Sequence, residues 1–227
     1  MKVLIKNEID FLRSLPQTKR IRYFRGSKIQ KIILVLLFYL VLDFLIALPL
    51  AYFLDLIFPN LEDAYLLDID LDISGFFLIV IFAPILEELI FRLPLKLSLW
   101  RFHFFLLVVA LSCFIIDPYF GFAMLIFWAI SINLFLSKKY FNFIKLKWLK
   151  YRVAIFYFFS FLFGIVHAFN FDPEFLPYYA FSIIFLPQLI GGVLLAVIRL
   201  RFGFFYALLL HSTFNGILML VEFLTET

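Results

Sequence analysis

Long apolar runs separated by short polar segments dominate the pattern of this chain. The hydrocarbon core of a bilayer is about 30 Å thick, and roughly 20 apolar residues in an α-helix cross it. The sequence contains seven such runs, which predict membrane-spanning helices at residues 32–54, 74–95, 102–116, 119–136, 153–171, 177–198 and 203–223. We therefore expect an all-α, polytopic membrane bundle of about seven transmembrane helices, of which the third is the shortest.

The charged residues between these runs alternate in sign along the chain. The segment before the first run is basic, with Lys19, Arg20, Arg22, Arg25 and Lys28. The segment after the first run is acidic, with Glu62, Asp63, Asp68, Asp70 and Asp72. The same alternation continues to the C terminus. Because Lys and Arg are enriched in cytoplasmic loops, we expect a cytoplasmic N terminus and an outer C terminus, in the inner membrane of a bacterial cell.

Composition supports a membrane protein and argues against other classes. Hydrophobic residues make up 65% of the 227 positions, which is far above the share in ordinary soluble domains. The net charge of +4 comes from the segments between the apolar runs, so nucleic acid is not an expected partner. We interpret residues 1–31 as a basic cytoplasmic segment and residues 32–227 as one transmembrane domain in the lipid bilayer. Residues 137–152 are predicted either to lie along the membrane interface or to form an ordinary basic loop.

The second apolar run contains three charges in the stretch EELIFR. Glu88 and Arg92 are four residues apart with the acid first, which is the favourable order for an ion pair on a helix. Glu87 is turned by about 100° from Glu88 around the helix axis, so it is predicted to remain a free carboxylate that could act as a general base. The alternative is that all three charges only stabilise helix packing. Ionisable groups are costly inside a bilayer, and an unpaired one favours a functional role.

Two further runs each align a histidine with an amide on one helical face. The stretch FGIVHAFN carries His167 and Asn170, and HSTFN carries His211 and Asn215. Either histidine alone would more simply bond a neighbouring helix. Two of them together with an unpaired glutamate indicate a polar site inside the membrane. The third histidine, His103, is predicted to lie at the membrane interface.

The three motifs together resemble those of a known family. EELIFR fits EExxxR, FGIVH fits FxxxH and HSTFN fits HxxxN, in the order found in the CPBP family of intramembrane proteases. That family includes the type II CAAX prenyl endopeptidases and bacteriocin-immunity-like membrane proteins. The resemblance covers residues 74–227, while the first run has no counterpart in the motifs.

The resemblance implies glutamate-dependent hydrolysis of peptide bonds in a peptide or a membrane-anchored protein. By position, Glu87 resembles the base that activates water, and His167 resembles its catalytic partner at the scissile carbonyl or leaving amine. Glu88 and Arg92 resemble the family's supporting ion pair. His211 and Asn215 would resemble the groups that bind the developing oxyanion, and Phe163 would shape the pocket. We expect the site to open toward the cytoplasm.

Several alternatives stay open at this stage. Glutamate and histidine could activate water alone, or the site could hold a divalent metal such as zinc, and the spacing commits to no metal site. A non-catalytic scaffold, for example an immunity protein, is the main functional alternative, and a proton-coupled transporter ranks third. Asp43 is given a structural role. His167 is predicted nearer its helix end than Glu87, so contact between them requires tilt or a break at Gly164.

Overall fold

The computed structural model describes residues 2–15, 24, 29–66 and 72–226. The basic residues predicted before the first span, and Asp68 and Asp70 after it, lie outside this set. The described residues form nine helices: α1 Lys2–Ser14, α2 Ile29–Ile57, α3 Ile73–Leu95, α4 Leu99–Ile116, α5 Pro118–Leu136, α6 Lys138–Lys150, α7 Arg152–Ala168, α8 Leu186–Arg201 and α9 Phe204–Glu226. A short 3₁₀ turn, Tyr178–Ser182, precedes α8.

The predicted all-α class is confirmed, because the model is 85% helical and its described part contains no strand. Five helical stretches are long and apolar enough to cross a membrane individually: Ile29–Ile57, Ile73–Leu95, Leu99–Ile116, Tyr178–Arg201 and Phe204–Thr225. A sixth arises if the stretches Pro118–Asn133 and Lys138–Lys150, bent by 112°, count as one span. The remaining predicted span is α7, a shorter apolar helix of 17 residues.

The core of the bundle lies between α2, α7, α8 and α9. Val35 and Tyr39 of α2 and Val197 and Ile198 of α8 have no exposed surface, and Phe163 of α7 has only 2%. The outward faces are also apolar, as shown by Ile115 at 83% exposure. Helices that are hydrophobic on all sides, with apolar side chains facing outward, are typical of membrane spans. Cys113 of α4 is buried.

Glycines allow α7 and α8 to pack closely. A Cβ at Gly164 of α7 would lie 3.1 Å from the backbone of Leu189 on α8, and a Cβ at Gly192 would lie 3.0 Å from the backbone oxygen of Ser160. Small residues at such contacts let two helix backbones approach within the membrane. At Gly216 of α9 the contact is looser, since a Cβ there would lie 3.4 Å from Val80.

One end of the bundle is closed by a layer that we call the cap, which comprises residues 58–66 and 169–185 and includes the 3₁₀ turn Tyr178–Ser182. Its two segments are joined by an antiparallel bridge between Tyr65 and Phe171 and by backbone hydrogen bonds that include Leu66 N to Asn170 O at 2.8 Å. A separate apolar cluster around Phe58 and Leu176 fills it. Because the cap packs over the end of α7, that helix stops at Ala168.

At the opposite end, α1 packs against the bundle through one buried carboxylate. Glu8 is 2% exposed. It accepts hydrogen bonds from Arg201 Nη2 at 2.7 Å and from the Tyr39 hydroxyl at 3.1 Å. Burial raises the pKa of Glu8, and Arg201 opposes this effect. The interaction connects the N-terminal helix to α2 and to the end of α8.

The close contact at Gly164 generates a stability prediction. We expect Gly164→Ala to lower the Tm in detergent, because overpacking against a backbone costs about 1–3 kcal/mol, more than the roughly 1 kcal/mol gained in helix propensity. Gly216→Ala is the matched control, since its Cβ would meet only a side-chain methyl of Val80. Thermal unfolding followed by circular dichroism measures both variants. Equal Tm values for Gly164→Ala and wild type would contradict the packing argument.

Candidate active site

Two prolines shape the helix that carries the glutamates. Within α3, wide π-helical turns at Phe77–Phe82 and Glu88–Arg92 alternate with an α-helical segment, Ala83–Glu87. Pro84 and Pro94 lack the backbone N–H that an α-helix needs, and their rings clash with the carbonyl four residues earlier. Each proline follows or ends a π-helical turn, which widens the backbone there. Such turns are frequently found at functional sites.

Glu88 and Arg92 form the predicted ion pair in the interior of the bundle. Arg92 Nε lies 3.4 Å from Glu88 Oε1, and the two side chains are 1% and 0% exposed. The guanidinium carbon of Arg92 lies 3.8 Å from the centre of the Phe163 ring, which is within cation–π distance. The backbone oxygen of Arg92 accepts a hydrogen bond from Arg199 Nε at 3.0 Å. The pair is therefore fixed by contacts from α7 and α8.

His211 lies between the two glutamates. Its Nδ1 is 3.2 Å from Glu88 Oε1, within hydrogen-bond distance, and its Nε2 is 3.4 Å from Glu87 Oε2. Both ring nitrogens can donate at once only when the imidazole is doubly protonated. In that form His211 and Arg92 together balance the charges of Glu87 and Glu88. The sequence associated His211 with an oxyanion, and its contacts with both carboxylates were not foreseen.

His167 is held with one nitrogen facing Glu87. Its Nδ1 donates a hydrogen bond to the Phe163 backbone oxygen at 2.7 Å, because a carbonyl can only accept. In the neutral ring Nε2 is then an acceptor, and it lies 3.9 Å from Glu87 Oε2. The ring also packs against Phe163, with a centroid distance of 4.5 Å. Of the two expected alternatives, tilt or a break at Gly164, the break is absent, since Arg152–Ala168 is one continuous α-helix.

Glu87 differs from Glu88 in its surroundings. Its side chain is 24% exposed, whereas that of Glu88 has no exposed surface. Glu87 Oε2 has no hydrogen-bond partner among the described residues, and it lies 3.9 Å from His167 Nε2 and 3.4 Å from His211 Nε2. A carboxylate oxygen that is buried but not hydrogen-bonded can accept a proton from a bound molecule.

The two asparagines have different surroundings. Asn215 of α9 donates from Nδ2 to the Ile79 backbone oxygen at 3.0 Å, within the first π-helical turn of α3. An amide NH₂ carries two hydrogens, so one remains for another acceptor. Asn170 lies in the cap, beyond the end of α7, where its backbone oxygen accepts from Leu66 N. Both asparagines line the cavity described next.

A cavity of about 370 Å³ joins these groups. Glu87, His167, His211 and Asn215 line one part of it, and Tyr65, Asn170 and Glu222 line the part nearest the cap. Burial raises the pKa of the Tyr65 hydroxyl, and nearby Glu222 adds to the effect. The cavity therefore extends toward the capped end, away from α1. The cytoplasmic N terminus and the opening of the site toward the cytoplasm both stay predictions.

Asp43 of α2 was given only a structural role, but it lines the same cavity. The side chain is 6% exposed, and its Oδ1 has no hydrogen-bond partner among the described residues. A lone aspartate in a long apolar run was the available sequence signal. His103 lies elsewhere, on α4. Its side chain faces α5, where Nδ1 is 3.4 Å from Ser131 Oγ.

The side chains of the site do not provide a metal centre. No three His, Cys, Asp or Glu side chains in the described ranges are arranged to hold a metal ion. His211 directs Nδ1 toward Glu88 and Nε2 toward Glu87, so both of its ring nitrogens already contact carboxylates. As they stand, the described side chains form no such set of ligands.

Comparisons with protein-family models, with curated proteins and with solved structures find no match for this chain. The functional proposal therefore rests on the three motifs and on the geometry of their side chains.

The different surroundings of the two glutamates generate a second stability prediction. We expect Glu88→Gln to destabilise the protein by about 3–5 kcal/mol, because it leaves Arg92 buried without its counter-charge. Glu87→Gln is the matched control and should change stability far less, since Glu87 is partly exposed. Unfolding in detergent, measured for both variants, distinguishes the two roles. Similar losses from both substitutions would argue against them.

Proposed function

We propose that this chain is an intramembrane endopeptidase that hydrolyses peptide bonds of membrane-associated substrates, as its resemblance to the CPBP family implies. One observation carries the proposal. Imidazole Nε2 atoms from two different helices lie 3.9 and 3.4 Å from the same oxygen, Glu87 Oε2. That oxygen has no hydrogen-bond partner among the described residues and belongs to a residue that lines a cavity.

In the proposed reaction, Glu87 removes a proton from water while the water oxygen attacks the scissile carbonyl carbon. His167 accepts a hydrogen bond from the same water through Nε2, because its Nδ1 proton is held by Phe163 O. The 3.9 Å separation is too long for a direct hydrogen bond, so one water can contact both groups. Glu87 then gives its proton to the leaving nitrogen as the C–N bond breaks.

The developing oxyanion would be stabilised by groups on α9. Asn215 keeps one amide hydrogen on Ile79 O, and its second can reach a substrate oxygen. His211 donates when it turns Nε2 from Glu87 toward that oxygen. A preorganised donor is worth about 3–4 kcal/mol, and of the two groups Asn215 is the one held in place, by Ile79 O. The buried Glu88 and Arg92 pair, packed on Phe163, holds these groups in place.

The proposed reaction uses no metal ion. It also requires no prenyl group on the substrate. The cavity walls are formed mainly by aliphatic and aromatic side chains around a few polar groups. Such a lining suits an apolar peptide segment placed in extended form across the reacting groups. A peptide or membrane-anchored protein is therefore the proposed substrate class.

The proposed orientation follows from the charge alternation, with α1 in the cytoplasm of a bacterial cell and the capped end outside. We expect a reporter that is active only outside the cytoplasm to be active when fused to the C terminus and inactive when fused to the N terminus. The part of the cavity nearest the cap would then lie on the outer side. The reverse reporter pattern would place the cap on the cytoplasmic side.

Cleavage of a peptide library by detergent-purified protein tests the function. We expect Glu87→Gln and His167→Ala each to lower the rate by at least 10²-fold, since general-base groups contribute about 10²–10⁴-fold. Addition of a chelator should leave the wild-type rate unchanged. His103→Ala is the matched control, because His103 lies outside the cavity, and it should retain the wild-type rate.

Two outcomes would count against this function. Unchanged cleavage in Glu87→Gln would assign the activity to another site or to a contaminant. No cleavage by the folded wild type across the library would favour a non-catalytic membrane scaffold, the alternative that the family resemblance also allows. Loss of activity on chelation, restored by zinc, would require a ligand arrangement different from the one described.

A further inference from the structure

Asp43 is a buried carboxylate that the proposed reaction does not use. Its side chain is 6% exposed, its Oδ1 has no hydrogen-bond partner among the described residues, and it lines the cavity. Burying an ionised carboxylate without a partner is costly. The α2 helix keeps it in place, because the neighbouring Phe44 stacks on Phe214 of α9 with a centroid distance of 4.5 Å.

The groups around the cavity offer Asp43 little positive charge. Arg92 pairs with Glu88, and His211 contacts both Glu87 and Glu88. No Lys or Arg occurs among the described cavity-lining residues, whereas Glu222 adds another carboxylate near the cap. His211 lies within electrostatic reach of Asp43, but it already contacts both glutamates. A cationic group that enters the cavity would therefore be attracted to Asp43.

The surroundings of Asp43 provide room for a long side chain. Ala47 and Ala51 follow it at four-residue intervals, on the same face of α2, and both line the cavity. Gly191 of α8 faces Asp43 itself, since a Cβ there would lie 3.5 Å from Asp43 Oδ2. These small residues and the carboxylate line the same cavity. A lysine or arginine side chain has the complementary form, an apolar stem with a charged end.

We propose that Asp43 is a specificity-determining residue that binds the side chain of a lysine or arginine in the substrate peptide. Calling the bound peptide a substrate rests on the proposed function. The proposal itself concerns peptide binding and can be tested without cleavage. It makes the substrate an apolar peptide that carries a basic residue close to the reacting groups.

The test measures binding of fluorescein-labelled apolar hexapeptides to the purified wild type in detergent micelles, by fluorescence anisotropy. Each peptide with a lysine at one internal position is paired with a peptide that has norleucine there, which keeps the stem and removes the charge. For at least one position we expect the lysine peptide to bind about tenfold or more tightly, since a hydrogen bond to a charged group is worth about 1.5–3 kcal/mol.

Variants assign this preference to Asp43. In Asp43→Asn we expect the lysine preference to fall to about threefold or less, and in Asp43→Glu, which keeps the charge, we expect most of it to remain. Asp55→Asn is the matched control, because Asp55 lies on the same helix, is exposed and does not line the cavity. It should keep the wild-type preference. Asp43→Ser provides a second neutral variant if Asp43→Asn does not fold.

Three results would overturn the proposal. These are equal binding of the lysine and norleucine peptides by wild type at every position, a lysine preference that persists in both neutral variants, or no binding of any peptide by the folded protein. Cleavage is measured separately on the same peptides. A lysine preference that depends on Asp43 but is accompanied by no cleavage would retain the binding site and reject the endopeptidase function.

Discussion

The arrangement depends on the cost of placing charges inside an apolar bundle. Glu88 and Arg92 have almost no exposed surface, so each would be strongly destabilising without the other. The two side chains also contact residues of other helices. Arg92 packs on Phe163 of α7, and Glu88 contacts His211 of α9, so one ion pair determines how three helices meet. Glu87, the next residue along α3, is consequently presented to a cavity between those helices with an oxygen that no described residue hydrogen-bonds.

The backbone around this pair is adapted to the same purpose. Two prolines in α3 accompany π-helical turns on either side of Glu87, and the amide of Asn215 binds a carbonyl in the first of them. On the other side of the cavity, α7 ends at Ala168 because the cap covers it, which places His167 at the depth of Glu87. Glycines at the contact of α7 with α8 keep the two backbones close. The side chains of the candidate site thus lie on helices. The cap encloses the part of the cavity near Tyr65 and Asn170.

Much of this could be predicted from local sequence. Apolar length identified every span as helical, and four-residue spacing identified the Glu88 and Arg92 pair, because both signals act within one helix. A break at Gly164 was one of two expected ways to bring His167 to the depth of Glu87, and the helix is continuous there. The bridging position of His211 and the location of Asp43 in the cavity were missed. Both depend on how α2, α3 and α9 turn toward one another, which no single helix encodes.

The central claim is that Glu87 and His167 act on the same water. A double-mutant comparison of peptide cleavage rates tests this most directly, using wild type, Glu87→Gln, His167→Ala and the combined variant. Residues that act as a unit show strongly non-additive losses, so the account predicts that the combined variant is about as slow as the slower single variant. Losses that multiply in the combined variant would show that the two residues act independently and would contradict the account.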